Sequence, residues 1–350
     1  MILKMLKTNG RSANVSILVI AAIIIIAGIF LSTLNAFGVI GEKNPVLIKD
    51  LKNDFEITDL AINNKYAFLT YAEYDYDEDE KILLNKGIKI FDISDKSNPV
   101  PVSSCNTPGG SNCLSYKDKY IFAAGKYLQI IDISDIENPF IAQSMELPGE
   151  VFKMKIIDNE AYLSTSDSFL TMDVSNILSP ELVDEFKTDD TIKDFCINGH
   201  YAFLADWNSG TFILDISKEK IKKVSGYSGK IVSAVSVDEN YLYVLGNSLK
   251  VLDITDISNP SFLKEIPISG YSYDINVSHG IIYMLSSSKS HDEQYSGSFE
   301  IIKNKTDSKV ISTNTFNLDI PENLKMILKG NYAYVFGENN GLKIFKLINI

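Results

Sequence analysis

Five charged residues occupy equivalent positions in a strand-like segment that this 350-residue chain repeats. They are Asp59, Lys153, Asp194, Asp274 and Lys325. Each stands one residue before an apolar position, and successive side chains of a strand point to opposite faces. Arranged in a ring around a channel, three carboxylates and two ammonium groups could hold a cation or an anionic ligand. The alternative is a solvated channel in which these charges pair with one another.

An acidic insert interrupts the repeat at residues 71–86. It contains Asp75, Asp77 and Asp79, whose spacing resembles the start of a calcium-binding loop. The pattern fails further along, because position 80 is not glycine and Lys86 stands where a bidentate acid is needed. The sequence therefore predicts no resident cofactor. Weak calcium binding stays open beside the plainer interpretation of a hydrated acidic loop.

A second insert, residues 286–297, contains His291 and Asp292 at the corresponding place in a later repeat. Trp207, the only tryptophan, falls in an equivalent turn. Insertions confined to one face of a repeat fold usually mark its binding face. We predict that these three residues and the acidic insert stand on one rim and contact a partner.

Motifs of the well-known enzyme classes are absent from the chain. It contains no Gly-x-Ser-x-Gly elbow, P-loop or HExxH sequence. Its cysteines are Cys105, Cys113 and Cys196, with no CxxC pair. Cys105 and Cys113 could form a disulfide across one loop in an oxidising compartment, or could both be small buried residues.

A repeat with a period near 40 residues carries all of these side chains. An Asp-Ile-Ser-like phrase begins at Asp92, Asp132, Asp173, Asp215 and Asp253. Seven aromatic anchors mark the units: Phe68, Phe122, Tyr162, Phe203, Tyr243, Tyr283 and Tyr334. Each unit has four strand-like runs, which predicts an all-β, seven-bladed propeller of four-stranded antiparallel blades. The repeated Asp is interpreted as a residue that builds a turn.

The two ends of the repeat region predict how the ring closes. Residues 44–48 read as the opening of a fourth strand, whereas residues 341–345 read as a third strand with no fourth after it. The N-terminal strand can therefore complete the last blade, and closure removes exposed sheet edges.

The N-terminal region has a different composition. Residues 15–37 form an apolar stretch long enough to cross a bilayer as one helix. The basic residues before it are Lys4, Lys7 and Arg11, which predict a cytoplasmic N-terminus. The predicted boundaries are a basic tail over 1–14, a transmembrane signal-anchor over 15–37, a linker over 38–43 and an exported propeller over 44–350. A cleaved signal peptide, which would release a secreted protein, is the alternative.

The charge of the chain argues against nucleic acid as a partner. The formal net charge is −12, and the three basic residues of the tail have no acids beside them, which leaves −15 on the remainder. Phosphate backbones are bound by clustered Lys and Arg, so the folded part does not have the required sign. Membrane contact is expected through the N-terminal helix.

Three segments resemble a known repeat. They are Gly87–Ser94 (GIKIFDIS), Leu128–Ser134 (LQIIDIS) and Leu249–Thr255 (LKVLDIT), and they are similar to the LVIVD repeat. The resemblance covers nearly all of residues 44–350 and weakens in the sixth and seventh units, where Lys replaces the Asp. It implies a propeller of a kind found on prokaryotic surface and secreted proteins, and it implies no shared catalytic residues.

Together, these patterns predict a non-catalytic, membrane-anchored propeller that binds a protein or cell-envelope ligand through one rim. A hydrolase- or lyase-type enzyme with a metal or carboxylate site at the channel mouth is the alternative, because propellers also host enzymes. A purely structural wall or surface-layer component is the third. Carboxylates gathered at one point would favour the enzyme, whereas carboxylates paired separately would not.

Overall fold

The computed structural model describes residues 46–51, 55–77, 80–217, 220–268, 270–289, 295–304, 310–318, 324–337 and 341–347. These residues form seven four-stranded antiparallel sheets. No helix within these ranges has the length and apolar character needed to cross a membrane. The predicted tail, transmembrane segment and linker (1–14, 15–37 and 38–43) lie outside the described residues.

Each sheet is one blade, and six of the seven use consecutive strands. Blade 1 contains β2 (Glu56–Ile62), β3 (Tyr66–Asp77), β4 (Glu80–Asp92) and β5 (Val100–Asn106). Blade 2 contains β6 (Cys113–Lys117), β7 (Tyr120–Ala124), β8 (Tyr127–Asp132) and β9 (Phe140–Glu146). Blade 3 contains β10 (Lys153–Ile157), β11 (Glu160–Ser164), β12 (Ser168–Asp173) and β13 (Glu181–Lys187).

The remaining blades follow the same order. Blade 4 contains β14 (Ile192–Asn198), β15 (Tyr201–Asp206), β16 (Gly210–Asp215) and β17 (Lys222–Tyr227). Blade 5 contains β18 (Ala234–Asp238), β19 (Tyr241–Leu245), β20 (Ser248–Asp253) and β21 (Ser261–Pro267). Blade 6 contains β22 (Tyr271–Ser278), β23 (Ile281–Lys289), β24 (Tyr295–Asn304) and β25 (Val310–Leu318). Blade 7 contains β26 (Lys325–Lys329), β27 (Tyr332–Gly337), β28 (Gly341–Lys346) and, as its fourth strand, β1 (Val46–Leu51).

The N-terminal strand β1 closes the ring, as the sequence predicts. It pairs antiparallel with β28, and Ile48 forms a bulge between the pairs Leu47↔Phe345 and Lys49↔Ile344. The fourth strands of blades 1 to 5 have a bulge at the same place, with Val102, Ala142, Val183, Val224 and Leu263 as the extra residues. A bulge twists an outer strand and discourages edge-to-edge pairing. β1 is therefore a fourth strand in its detail as well as in its position.

Apolar clusters fill all seven junctions between neighbouring blades. The seven aromatic anchors are all buried, and each packs against the following blade. The apolar residue of each first strand packs against the preceding blade; this set is Leu60, Leu114, Met154, Phe195, Val235, Ile275 and Met326. Neighbouring first strands contact one another around the whole ring, so they form its inner wall.

The repeated Asp residues build turns, which confirms their structural interpretation. In all five, the carboxylate accepts a hydrogen bond from the backbone N–H two residues later; the donors are Ser94, Ser134, Ser175, Ser217 and Thr255, at 2.7–2.9 Å. Hydrogen bonds from the same residues lower the pKa of Asp92, Asp132, Asp173 and Asp253. These acids therefore stabilise the turns that follow the third strands.

Candidate functional site

The turns between second and third strands form one edge of the propeller, which we call the hairpin rim. In blades 2 to 5 these strands are five or six residues long. In blade 1, β3 has 12 residues and β4 has 13; in blade 6, β23 has 9 and β24 has 10. Both sequence inserts therefore lengthen hairpins on this rim. The blade 1 insert, expected as a loop, is a paired β-arm in which Asp77 lies opposite Glu80.

A cluster of side chains braces the base of the blade 1 arm. The Lys89 Nζ forms an ion pair with Glu73 at 2.9 Å and lies 4.2 Å from the centre of the Tyr71 ring and 4.8 Å from that of Phe55. The Tyr71 hydroxyl donates to the Asn106 Oδ1 at 3.0 Å, which ties the arm to the outer strand of its blade. These contacts fix the direction in which the arm leaves the rim.

The structure describes three of the six predicted rim residues. Asp75 and Asp77 lie on β3, in the arm, whereas Asp79, His291 and Asp292 lie outside the described residues. Trp207 is half-buried in the β15–β16 turn, and the Lys193 Nζ is 5.4 Å from its ring centre. The structure thus places Trp207 on the same rim as the arm, and a role for it in binding stays a prediction.

The charged residues of the first strands point toward the next blade. The Leu114 N–H of blade 2 donates to Asp59 at 2.7 Å, the Val235 N–H of blade 5 donates to Asp194 at 2.9 Å, and the Met326 N–H of blade 7 donates to Asp274 at 2.7 Å. The sequence prediction placed these residues in the channel because their side chains oppose the apolar set. In the ring these carboxylates join neighbouring blades beside the axis, and their role as channel-lining residues stays a prediction.

The two lysines complete this arrangement. Lys153 forms an ion pair with Asp194, and the Lys325 Nζ donates to the Thr58 carbonyl oxygen at 2.8 Å across the junction of blades 7 and 1. The Lys153 side chain is 40 % exposed although it stands on the inner wall, whereas that of Asp194 is 9 % exposed. The lysine therefore reaches solvent while its partner does not.

Burial governs the titration of these groups. It raises the pKa of Asp59, against the opposing charge of Lys325 and the Leu114 N–H. Burial, with the negative charge of Asp194, raises the pKa of Asp274 to about 6. Burial lowers the pKa of Lys153, but Asp194 and Asp274 outweigh this effect and raise it above its ordinary value.

We expect Asp194→Ala to destabilise the propeller by about 2 kcal/mol, because the Val235 N–H loses its acceptor inside the wall. The exposure of Lys153 limits the further cost of separating the ion pair. Urea unfolding measures the change. Asp194→Asn, which retains an acceptor oxygen, serves as the matched variant, and an equal loss in both variants would contradict the role given to the hydrogen bond.

The three carboxylates accept backbone hydrogen bonds at three different blade junctions. Across the described residues, no three His, Cys, Asp or Glu side chains are grouped so that they could hold a metal ion. This geometry leaves a metal or carboxylate centre at the channel mouth as a prediction. Calcium binding by the arm is not tested by it, because the acidic side chains of the arm are not among those described.

Cys105 and Cys113 are free, which agrees with the alternative in which they are packed residues and not a disulfide. Cys105 packs in the cluster between blades 1 and 2, whereas Cys113 packs in the cluster between blades 2 and 3. The two thiols therefore lie on opposite sides of the blade 2 sheet. Burial raises the pKa of the thiols of Cys105, Cys113 and Cys196, which disfavours the thiolate form.

The hairpin rim also holds a cavity that no sequence pattern indicated. It lies between the loop that joins blade 4 to blade 5 and the β19–β20 turn, and its wall includes Lys230, Ile231 and Lys250. Its residues come from separate segments of two blades, which explains why no local motif marks it.

Comparison with known proteins agrees with this architecture. The family model described as LVIVD repeat matches residues 84–107, 108–146, 192–219, 229–268 and 325–345. This chain is an LVIVD-repeat β-propeller. The matched segments include the last blade, where Lys replaces the repeated Asp, and none of them covers blade 3 or blade 6.

Solved structures share the fold of this LVIVD-repeat propeller at low identity. The WD40 β-propeller domain of Doa1 aligns with a TM-score of 0.64 at 13 % identity, over 86 % of this chain and 97 % of that chain. The computationally designed Ika8 protein aligns with a TM-score of 0.56 at 12 % identity, over 87 % of this chain and 100 % of that chain. No curated protein matches the sequence. At these identities the likeness concerns the fold alone.

Proposed function

We propose that this LVIVD-repeat propeller is a non-catalytic binding or scaffold module that holds a partner on its hairpin rim. The observation that carries the proposal is the pair of extended hairpins, which only blade 7 separates in the ring. Loops and hairpins that project from one face of a rigid repeat fold are the usual place for recognition.

The blade 1 arm has the properties of a contact element. Leu83 and Leu84, in its projecting part, are 43 % and 64 % exposed. The sequence around them is rich in acids and tyrosines, including Asp75 and Asp77. The braced base reduces the ordering that a partner would have to impose, which favours affinity. A partner with a basic rim and an apolar centre has the complementary chemistry.

The apolar segment 15–37 supports a location outside the cytoplasm, anchored in the membrane or released after cleavage. In that setting the partner is a protein or another ligand of the cell envelope. The inner wall supports a structural role for the charged residues, because each carboxylate is already engaged by the next blade.

Removing both extensions tests this proposal. In the trimmed variant, one Asn-Gly turn replaces residues 74–84 and another replaces residues 288–296, which keeps the pairs Glu73↔Asn85 and Ser287↔Gly297 next to the new turns. Residues 40–350 serve as bait for the native cell envelope. We expect a partner retained by the natural sequence to be lost by the trimmed variant, with an unchanged melting temperature.

The control has an Asn-Gly turn in place of Asp118 and Lys119, on the opposite edge, where Asp118 already has a left-handed φ of 56°. This control should capture the same partner as the natural sequence. Capture by the trimmed variant, or capture by none of the three proteins, would refute recognition through the hairpin rim.

A further inference from the structure

The cavity between blades 4 and 5 has a volume of about 260 Å³, and no residue of the two extended hairpins lines it. Lys230 and Lys250 both line it, in a chain whose net charge is −12. The Lys250 Nζ lies 5.9 Å from the centre of the Tyr227 ring. The one carboxylate of the wall, Glu265, already accepts a hydrogen bond from the Ser248 hydroxyl. Glu265 lies opposite Lys250 in the pairing of β20 with β21, so two lysines against one carboxylate leave the wall with one net positive charge on an acidic protein.

Apolar and aromatic surface completes the wall. Ile231, Val232 and Val244 line the cavity together with Tyr227. Ligand sites combine such surface with a few placed polar groups, and those for drug-sized molecules begin near 300 Å³. A cavity slightly below that size suits a smaller molecule with one charged end.

The backbone of the cavity wall is strained at Ile231, whose φ is +60°. A β-branched residue rarely adopts a left-handed conformation. In the loop that joins blades 1 and 2, the equivalent position, four residues before the buried apolar residue of the next first strand, is Gly110 with a φ of 72°. The loop between blades 1 and 2 thus has a glycine at the position where the loop beside the cavity has Ile231.

Neighbouring groups hold the strained conformation. The N–H groups of Ile231 and Val232 both donate to the Trp207 carbonyl oxygen, at 2.6 and 3.3 Å. Gly246 permits the close approach of the β19–β20 turn, since a Cβ at that position would lie 2.2 Å from the Ile231 carbonyl oxygen. Strain that is held in this way is concentrated at ligand-binding sites.

We propose that this cavity binds a small organic anion, a carboxylate or a phosphate ester on a compact apolar body. Lys230 and Lys250 neutralise the anionic group, and Ile231, Tyr227 and Val244 contact the body. The proposal is independent of recognition by the extended hairpins, because the two surfaces share no residue.

Calorimetric titration of the full-length chain with four probes tests this site. Phenyl phosphate and benzoate carry both features, benzyl alcohol lacks the charge, and inorganic phosphate lacks the body. We expect at least one of the first two to bind at least tenfold more tightly than either of the others. The tighter of the two identifies phosphate or carboxylate as the preferred group.

Charge removal locates the site. Lys230→Met with Lys250→Met should weaken that probe at least tenfold. Lys126→Met with Lys187→Met makes the same charge change on side chains that are 64 % and 71 % exposed in other blades, and should leave the affinity unchanged. The melting temperature of each variant verifies its fold.

The variant Ile231→Gly distinguishes a role of this residue in ligand binding from a role in stability. The variant should melt at the same temperature as the natural chain or higher, because the strain is relieved, while its affinity for the probe falls. Equal loss in the two lysine pairs, binding of benzyl alcohol as tight as that of the anions, unchanged affinity in Ile231→Gly, or no binding of any probe would overturn the proposal.

Discussion

Phe122→Ala should destabilise the propeller by about 3–5 kcal/mol, the range observed when a buried aromatic ring is truncated. Phe122 is fully buried at the junction of blades 2 and 3, where it packs with Leu128, Ile130 and Met154. The loss combines the transfer energy of the ring with a cavity that two rigid sheets cannot close. Urea unfolding monitored by circular dichroism measures the change.

The same blade provides the control for this prediction. Phe140 begins the outer strand β9 and is 59 % exposed, so Phe140→Ala should change the free energy of unfolding by no more than about 0.5 kcal/mol. A similar loss of stability in the two variants would contradict the claim that the aromatic anchors stabilise the blade junctions.

The fold was largely predictable because the repeat states the same pattern seven times. One aromatic run is weak evidence, but seven anchors that recur every 40 or 41 residues, except across the two inserts, predict seven blades. All seven residues are buried at blade junctions. Ring closure was predictable for a related reason. Asn44 and Pro45 precede β1 as Asn98 and Pro99 precede β5, so β1 could be recognised as a fourth strand by comparison with the other fourth strands.

The contacts of the charged side chains on the inner wall were harder to predict from the sequence. Alternation assigns Asp59 and Leu60 to opposite faces, but it does not say what each face meets. In an isolated sheet one face meets solvent, whereas in this ring both faces meet a blade. Asp59 therefore accepts a hydrogen bond from Leu114 of the next blade, although its sequence position equally suits an open channel.

Two further features depend on geometry that a sequence does not encode locally. Cys105 and Cys113 are close in the chain, but the blade 2 sheet stands between their side chains. Ile231 resembles an ordinary loop residue, and only its left-handed φ distinguishes it from its neighbours. In both cases the deciding information is the course of the backbone between blades.

Asp274 should make the stability of the propeller depend on pH in a range above that in which an ordinary aspartate titrates. Its pKa is raised from 3.8 to about 6 in the folded protein, first by burial and then by the charge of Asp194, while Lys153 opposes the rise. The folded state therefore holds the proton more tightly than the unfolded chain does. The contribution of Asp274 is most favourable below about pH 4 and declines as the pH rises through about 6.

A difference of about two pKa units corresponds to about 3 kcal/mol between these limits. The aspartates of the turns, such as Asp92, act in the opposite direction, because their pKa is lowered and their contribution is lost as the pH falls. The two effects are separated by comparing Asp274→Asn with the natural chain at each pH. We expect the free-energy difference between them to change by about 3 kcal/mol from pH 4 to pH 7, in favour of the variant at pH 7.

The pH dependence of this difference is the diagnostic quantity, since the variant also alters a hydrogen bond. The Asp274 oxygens accept from the Ile275 N–H at 2.8 Å and from the Met326 N–H at 2.7 Å, and asparagine has only one acceptor oxygen. That loss is independent of pH, so it shifts the whole curve without changing its slope. A flat difference between pH 4 and pH 7 would show that the two N–H groups and Lys153 compensate the burial of the carboxylate, and that the inner wall holds a fully ionised acid.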